Sequence, residues 1–378
     1  MSIVTRFDLL KYRRTKIIAT VGPSSREPAQ VRALIQAGVD VFRINMSHGR
    51  QAEHAAAIEV IRKQAALLGT HTAILADLCG PKIRTGKFPA GPVTLVRDAD
   101  VTVTVREVPG NAGLIPSQYA GLADDVRPGD RILLNDGAAE LVVREVAGTE
   151  VHCRVVQGGP IGDHKGINLP GVQVSAPSLT PKDIDDARFA IAQQVDLIAL
   201  SFVRTRADVE SLRALVEDSD VRPWIIAKIE KPEALENSVE ILQVADGIMV
   251  ARGDLGVELP PEQVPLAQAQ LVNTARLYDK PVIVATQMLE SMIAAARPTR
   301  AEVTDASSAV ASGADAVMLS GETAVGAFAV ETVEIMSRII RQTESYQFHT
   351  RPRGEQAHTG AHGHLSNWWW TPAPARSC

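Results

Sequence analysis

A chain of 378 residues, 45% of them hydrophobic, carries enough apolar material for a large core, and ordinary domain sizes predict roughly two or three domains. A formal net charge of −5 excludes the basic surplus of a general nucleic-acid binder, and no apolar run reaches the ~18 residues that span a bilayer. Cys79, Cys153 and Cys378 lack metal-ligand spacing and the N-terminus lacks the apolar core of a secretory signal, which predicts a cytoplasmic protein without a disulfide framework.

In chain order, short apolar runs alternate with amphipathic helical stretches. The runs are TKIIATVG (15–22), VFRINM (41–46), TAILADL (72–78), DLIALSFV (196–203), WIIAKIE (224–230), GIMVARG (247–253), PVIVATQML (281–289) and AVMLSGE (316–322). Most are nearly continuous in Ile, Val, Ala and Leu, the composition of parallel strands covered on both faces. Eight such units predict an α/β fold, a closed (β/α)8 TIM barrel; an open doubly wound sheet would show the same alternation. The alternation breaks after the third run. Residues 87–176 hold Val- and Thr-rich strands separated by turns such as PGD and NDG, which predicts a small all-β domain inserted into a βα loop. The expected division is a barrel of residues 1–86 and 177–345 with an inserted β-domain at 87–176, placed as a lid over the barrel's C-terminal face. Residues 346–378 show neither period. Their histidines would suit a metal-binding tract, but WWWTPAPARSC reads more simply as an unstructured tail from an altered reading frame.

Polar groups gather at the ends of the runs. Residues i and i+2 of a strand share a face, so Arg43, Asn45 and Ser47 point one way while Phe42, Ile44 and Met46 oppose them. Lys228 and Glu230 likewise share a face at the end of WIIAKIE. GIMVARGDLG ends on Gly253 and Asp254, and VIVAT on Thr286. In a barrel these groups converge at the C-terminal rim, where barrel enzymes place their chemistry. Burying a lone charge is costly, so partners are required there. Glu230 and Asp254 suit a hard divalent cation such as Mg2+, and Arg43 offers a fork for phosphate. A purely structural Lys228–Glu230 ion pair would explain one strand but not four.

These stretches together resemble pyruvate kinase. The matching segments include TKIIATVGPSS (15–25), VFRINMSHG (41–49), DLCGPKIRTG (77–86), GDHKGINLPG (162–171), AKIEKPEALEN (227–237), MVARGDLGVE (249–258), VATQMLESM (284–292) and MLSGETAVG (318–326), in the family's order from about residue 12 to 345. The resemblance implies phosphoryl transfer from phosphoenolpyruvate to ADP in glycolysis. It implies Lys228, Arg43 and Thr286 as catalytic residues, and Arg43, Lys228, Gly253, Asp254 and Thr286 as substrate contacts, with the amides near Gly253 and Asp254 receiving the carboxylate. Glu230 and Asp254 would hold Mg2+, or Mn2+ in its place. Asn45, Met46, Ser47, His48, Arg84 and Lys165 would meet the nucleotide. The family is usually a cytoplasmic homotetramer with a further C-terminal α/β domain. That domain is missing here, which predicts a truncated or frame-altered product and leaves an inactive chain as one alternative. A metal-dependent aldolase acting on a pyruvate enolate is the other.

Members that need K+ bind it through the positions of Asn45, Ser47, Asp77 and Leu78, and carry Glu where this chain has Lys82. Leucine has no side-chain oxygen for a cation. The expectation is that the Lys82 ammonium replaces the ion and makes activity independent of K+.

Overall fold

Eight short runs of β-branched and small apolar residues pair in parallel and close on themselves. In the computed structural model, which describes residues 9–219 and 222–350, these strands are β1 (Lys16–Thr20), β2 (Val41–Asn45), β3 (Ala73–Asp77), β4 (Leu197–Leu200), β5 (Trp224–Ile229), β6 (Gly247–Ala251), β7 (Val282–Ala285) and β8 (Ala316–Leu319). Their order around the barrel is sequential, and β1 closes it against β8. The alternation therefore signals a closed barrel and not an open sheet. Each strand stops short of the run that marked it. Phe202, Thr286 and Gln287 take positive φ (54°, 69° and 53°), which turns the chain out of extended geometry. After β6 the helix α6 (Arg252–Glu258) begins at once.

Two apolar layers result from period-two alternation. Phe42, Ile44, Ile74, Ile198, Ile225, Ala227 and Val250 face outward into the core shared with the surrounding helices. Ile18, Val41, Leu75, Ala199, Ile226, Met249 and Ile283 fill the barrel interior. Continuing the inward set by two residues gives Thr20, Arg43, Asp77, Ser201 and Lys228. The interior is thus apolar up to its last layer and polar at the C-terminal rim.

The opposite, N-terminal face repeats one device four times. Asp40, Asp196, Asp246 and Asp315 each stand directly before an even-numbered strand. Each carboxylate accepts an amide at the start of the preceding odd strand, from Ile17, Ile74, Ile225 and Val282, at 2.8–2.9 Å. The backbone amide of each aspartate donates back to the carbonyl of that same residue. Buried strand-end amides need an acceptor, and these carboxylates supply it.

Between β3 and β4 the chain makes a six-stranded sheet of Ile167–Asn168, Arg131–Leu134, Ala139–Ala147, Glu150–Gln157, Asp100–Thr104 and Leu114–Pro116 in that spatial order. It has its own core around Val103, Ile115, Leu134, Leu141 and Val155. At the other end, a helix runs through Ala329–Thr350, past the boundary at 345 that the sequence pattern predicts. The histidine- and tryptophan-rich tail from residue 351 onward lies outside the described residues.

Candidate active site at the barrel rim

Lys228 sits at the centre of the polar layer. Its ammonium lies 2.9 Å from Glu230 Oε1 and 3.2 Å from Asp77 Oδ1, and donates to Ser201 Oγ at 2.7 Å. Burial works against its charge, but Asp77 and Glu230 more than offset that and raise its pKa above the ordinary lysine value. Burial alone would push the Asp77 carboxyl up; the neighbouring Lys228 and Arg43 outweigh it and hold Asp77 below the usual range. Arg43 donates through Nε to Asp77 Oδ2 at 2.6 Å and through Nη1 to Thr20 Oγ1 at 3.2 Å. Its remaining nitrogen has no partner among the described residues.

Glu230 is buried, and its other oxygen accepts the Phe202 amide at 2.7 Å. Burial raises its pKa; Lys228 opposes this, while the negative charge of Asp254 adds to the rise. The two carboxylates are therefore close enough to repel. Asp254 is half-buried and makes no hydrogen bond or ion pair with the described residues. It lines both a narrow cavity shared with Lys82 and Lys231 and a cleft of about 690 Å³ that runs past Gly253, Thr286 and Ser320 beneath Asp136 of the inserted domain.

Around this centre the loops after β2 and β3 bring further cations. Burial lowers the pKa of His48, and Arg84, Lys82 and Arg43 lower it further, so the region disfavours another positive charge. Asn45 meets His48 Nδ1 at 3.3 Å, and its Oδ1 accepts the Ser47 amide. Arg84 reaches the His164 carbonyl, and the Lys165 amide donates to Thr85 Oγ1, leaving the Lys165 side chain exposed. Lys82 is exposed and makes no side-chain bond to a described residue.

Three residues stand differently from what their motifs imply. The Met46 side chain is buried in the barrel–helix core, and its carbonyl accepts Lys182 at 2.8 Å, so only its backbone faces the loop. Leu78 is also buried, with its carbonyl accepting Ser201 Oγ at 2.7 Å. The Gly253 amide donates to Thr286 Oγ1 at 2.7 Å and is not free to receive a carboxylate. Arg252, which motif reading passed over, is buried. It bonds both Asp305 oxygens at 2.7 and 2.8 Å and the Thr286 carbonyl at 2.6 Å. It lies inside MVARGDLG, where a charge next to an apolar run was the available signal.

A closed barrel whose rim fixes one cation among buried carboxylates, under a separate β-domain, defines an enzyme for an anionic substrate. The family model described as "Pyruvate kinase, barrel domain" matches residues 12–333. Proteins named pyruvate kinase from Mycobacterium intracellulare and Thermococcus litoralis are 50% and 47% identical over 332 and 338 residues, covering 88% and 89% of this chain and 70% and 71% of theirs. A solved structure described as a pyruvate kinase from Cryptosporidium parvum superposes with a TM-score of 0.87 at 38% identity, covering 96% of this chain and 73% of that one. The chain belongs to the pyruvate kinase family. It is a phosphotransferase by that membership, and the aldolase reading falls away.

Proposed function

We propose that this rim transfers the phosphoryl group of phosphoenolpyruvate to ADP, the enolpyruvate so formed taking up a proton to become pyruvate. The observation that carries this reading is Lys228, held cationic by Asp77 and Glu230. Phosphoryl transfer needs positioning and charge neutralisation more than covalent help. A fixed ammonium costs no reorganisation when negative charge moves toward it. Arg43 keeps one nitrogen for a phosphate oxygen while Asp77 holds its guanidinium still. Glu230 and Asp254 fit a divalent cation: their charges oppose each other, and Asp254 has no hydrogen-bond or ion-pair partner among the described residues. Among the described residues no three metal-ligating side chains converge, which suits Mg2+ completing its shell with substrate oxygens and water. Mg2+ would neutralise those oxygens when bound. Thr286 closes the cleft beside Gly253, and Arg84 and Lys165 form a cationic approach for the nucleotide, with the His48 imidazole beside them as an uncharged hydrogen-bonding group.

The K+-independent reading gains support from the donors already in place. Asp77 Oδ2 accepts Arg43, its Oδ1 lies 3.2 Å from the Lys228 ammonium without a hydrogen bond, the Leu78 carbonyl accepts Ser201, and Asn45 Oδ1 accepts the Ser47 amide. Two cations already face Asp77, which weakens the pull on a further monovalent ion, and the Lys82 ammonium stands near His48 in the adjoining loop. The same reading places the enzyme in the cytoplasm as a homotetramer. Among the described residues no helix is long and apolar enough to cross a membrane.

The test is pyruvate release by the purified chain in Mg2+ and bulky organic cations. Turnover should require both ADP and phosphoenolpyruvate, proceed without K+, and vanish in Glu230→Gln. Lys82→Glu should make it K+-dependent. Pyruvate release without ADP sinks the reaction; an absolute K+ requirement in the parent sinks the role of Lys82.

A further inference from the structure

The inserted β-domain meets the barrel along two connecting segments, near residues 84–88 and 172–178. Beside the first of them, where the Ile167 amide donates to the Ile83 carbonyl at 3.0 Å, Asn168 reaches beyond the connection: its Nδ2 donates to Glu258 Oε1 at 3.2 Å. The same oxygen lies 2.6 Å from Lys231 Nζ. Lys231 directly follows Glu230, and Glu258 stands one helical turn after Asp254 on α6. The partners of the β-domain contact thus stand beside Glu230 and Asp254, of which Asp254 lines the cleft. Asn168, Lys231 and Asp254 line the same narrow interdomain cavity.

The pairing is unusual for a purely structural bridge. The Glu258 side chain is 1% exposed, yet its Oε2 is buried with no partner. Enclosing a carboxylate with one oxygen unsatisfied is unfavourable, and water would satisfy it if the β-domain swung away. The carboxylate therefore has two competing states: hydrated, or enclosed with Asn168 as an added donor. The return segment is tied to the same neighbourhood. Arg204 donates to the carbonyls of Val174 and Ala176, and Ser178 donates to the carbonyl of Phe202, whose amide holds Glu230.

We propose that Asn168, Glu258 and Lys231 form a latch that positions the β-domain over the Glu230–Asp254 pair. This rests on reading that pair as the centre of the reaction. Asn168 is a positioning residue: it touches no proposed reactant, and its loss should loosen closure without altering the rim.

Hydrogen exchange of the ligand-free full chain tests this. In Asn168→Ala, exchange at residues 84–88 and 172–178 should accelerate on the order of tenfold, the factor matching loss of one hydrogen bond to a charged group. Asn168→Asp, which sets a second carboxylate against Glu258, should accelerate it further while the barrel strands stay protected. KM for ADP should rise by a similar factor with kcat little changed. Unaltered exchange in Asn168→Asp overturns the latch whether or not the chain turns over. Accelerated exchange in a chain that never phosphorylates ADP overturns the proposed reaction and leaves the latch standing.

Discussion

Thr286 has φ of 69°, a backbone conformation that a β-branched residue adopts only when its surroundings hold it there. Arg252 does the holding. Its fork takes the Thr286 and Gln287 carbonyls on one side and the Asp305 carboxylate on the other. Lysine has the charge but not the geometry for both. Arg252→Lys should therefore lower kcat by roughly 10–100-fold, because small misplacements at a rim are expensive, with the midpoint of thermal unfolding moving far less. A kcat unchanged beside a lowered midpoint would make Arg252 a folding residue only. Lys228 and Glu230 were legible in sequence because charges ending an apolar strand demand partners. Arg252 carried the same signal, a charge ending an apolar run, but its partner could not be named from it, since Asp305 is 53 residues away. The bond from the Gly253 amide to Thr286 Oγ1 was hidden for a related reason, since only the folded loop brings the two together.

At the scale of elements, the apolar runs marked all eight barrel strands but overshot their ends, because the polar rim residues continue the alternation after the backbone has turned. Of the four aspartates at the other face only Asp196 fell inside a run; Asp40, Asp246 and Asp315 each stand one residue before theirs, and none carried a periodic signal. They do not share one electrostatic setting. Asp40 and Asp246 pair with Arg13 and Arg213 at 2.6 and 2.8 Å. For Asp315, burial pushes the carboxyl up to about 6 from 3.8, although the Val282 amide, Arg276 and Arg14 pull the other way. A pKa raised by folding means the native state binds the proton more tightly. Its stability contribution is full below the unfolded value and is lost as pH rises through the folded one. Asn keeps an acceptor for Val282 without the charge. Asp315→Asn should thus match the parent near about pH 4 and exceed it near about pH 7, by at most about 3 kcal/mol. Urea unfolding at both pH values checks this; an advantage that shrinks as pH rises would reverse the sign argument.

Among the described residues the barrel's two apolar layers, one inside it and one between it and the helices, share no residues with the core of the β-domain. That separation was visible in sequence as a change from helix-interrupted apolar runs to Val/Thr alternation with turns. How the two bodies meet was not, since Asn168 and Glu258 are 90 residues apart and neither belongs to a recognisable pattern. The barrel's closure also has a seam. Beyond its carboxylate bond, the backbone carbonyl of Asp40, Asp196 and Asp315 accepts the amide that opens the next odd strand, from Ala73, Trp224 and Lys16. The matching place after Asp246 is Pro281, which has no amide to give. The hoop of main-chain bonds at the barrel floor is one rivet short between β6 and β7. A foreign peptide spliced between Asp279 and Lys280 would enter at that gap and would have no such bond to break.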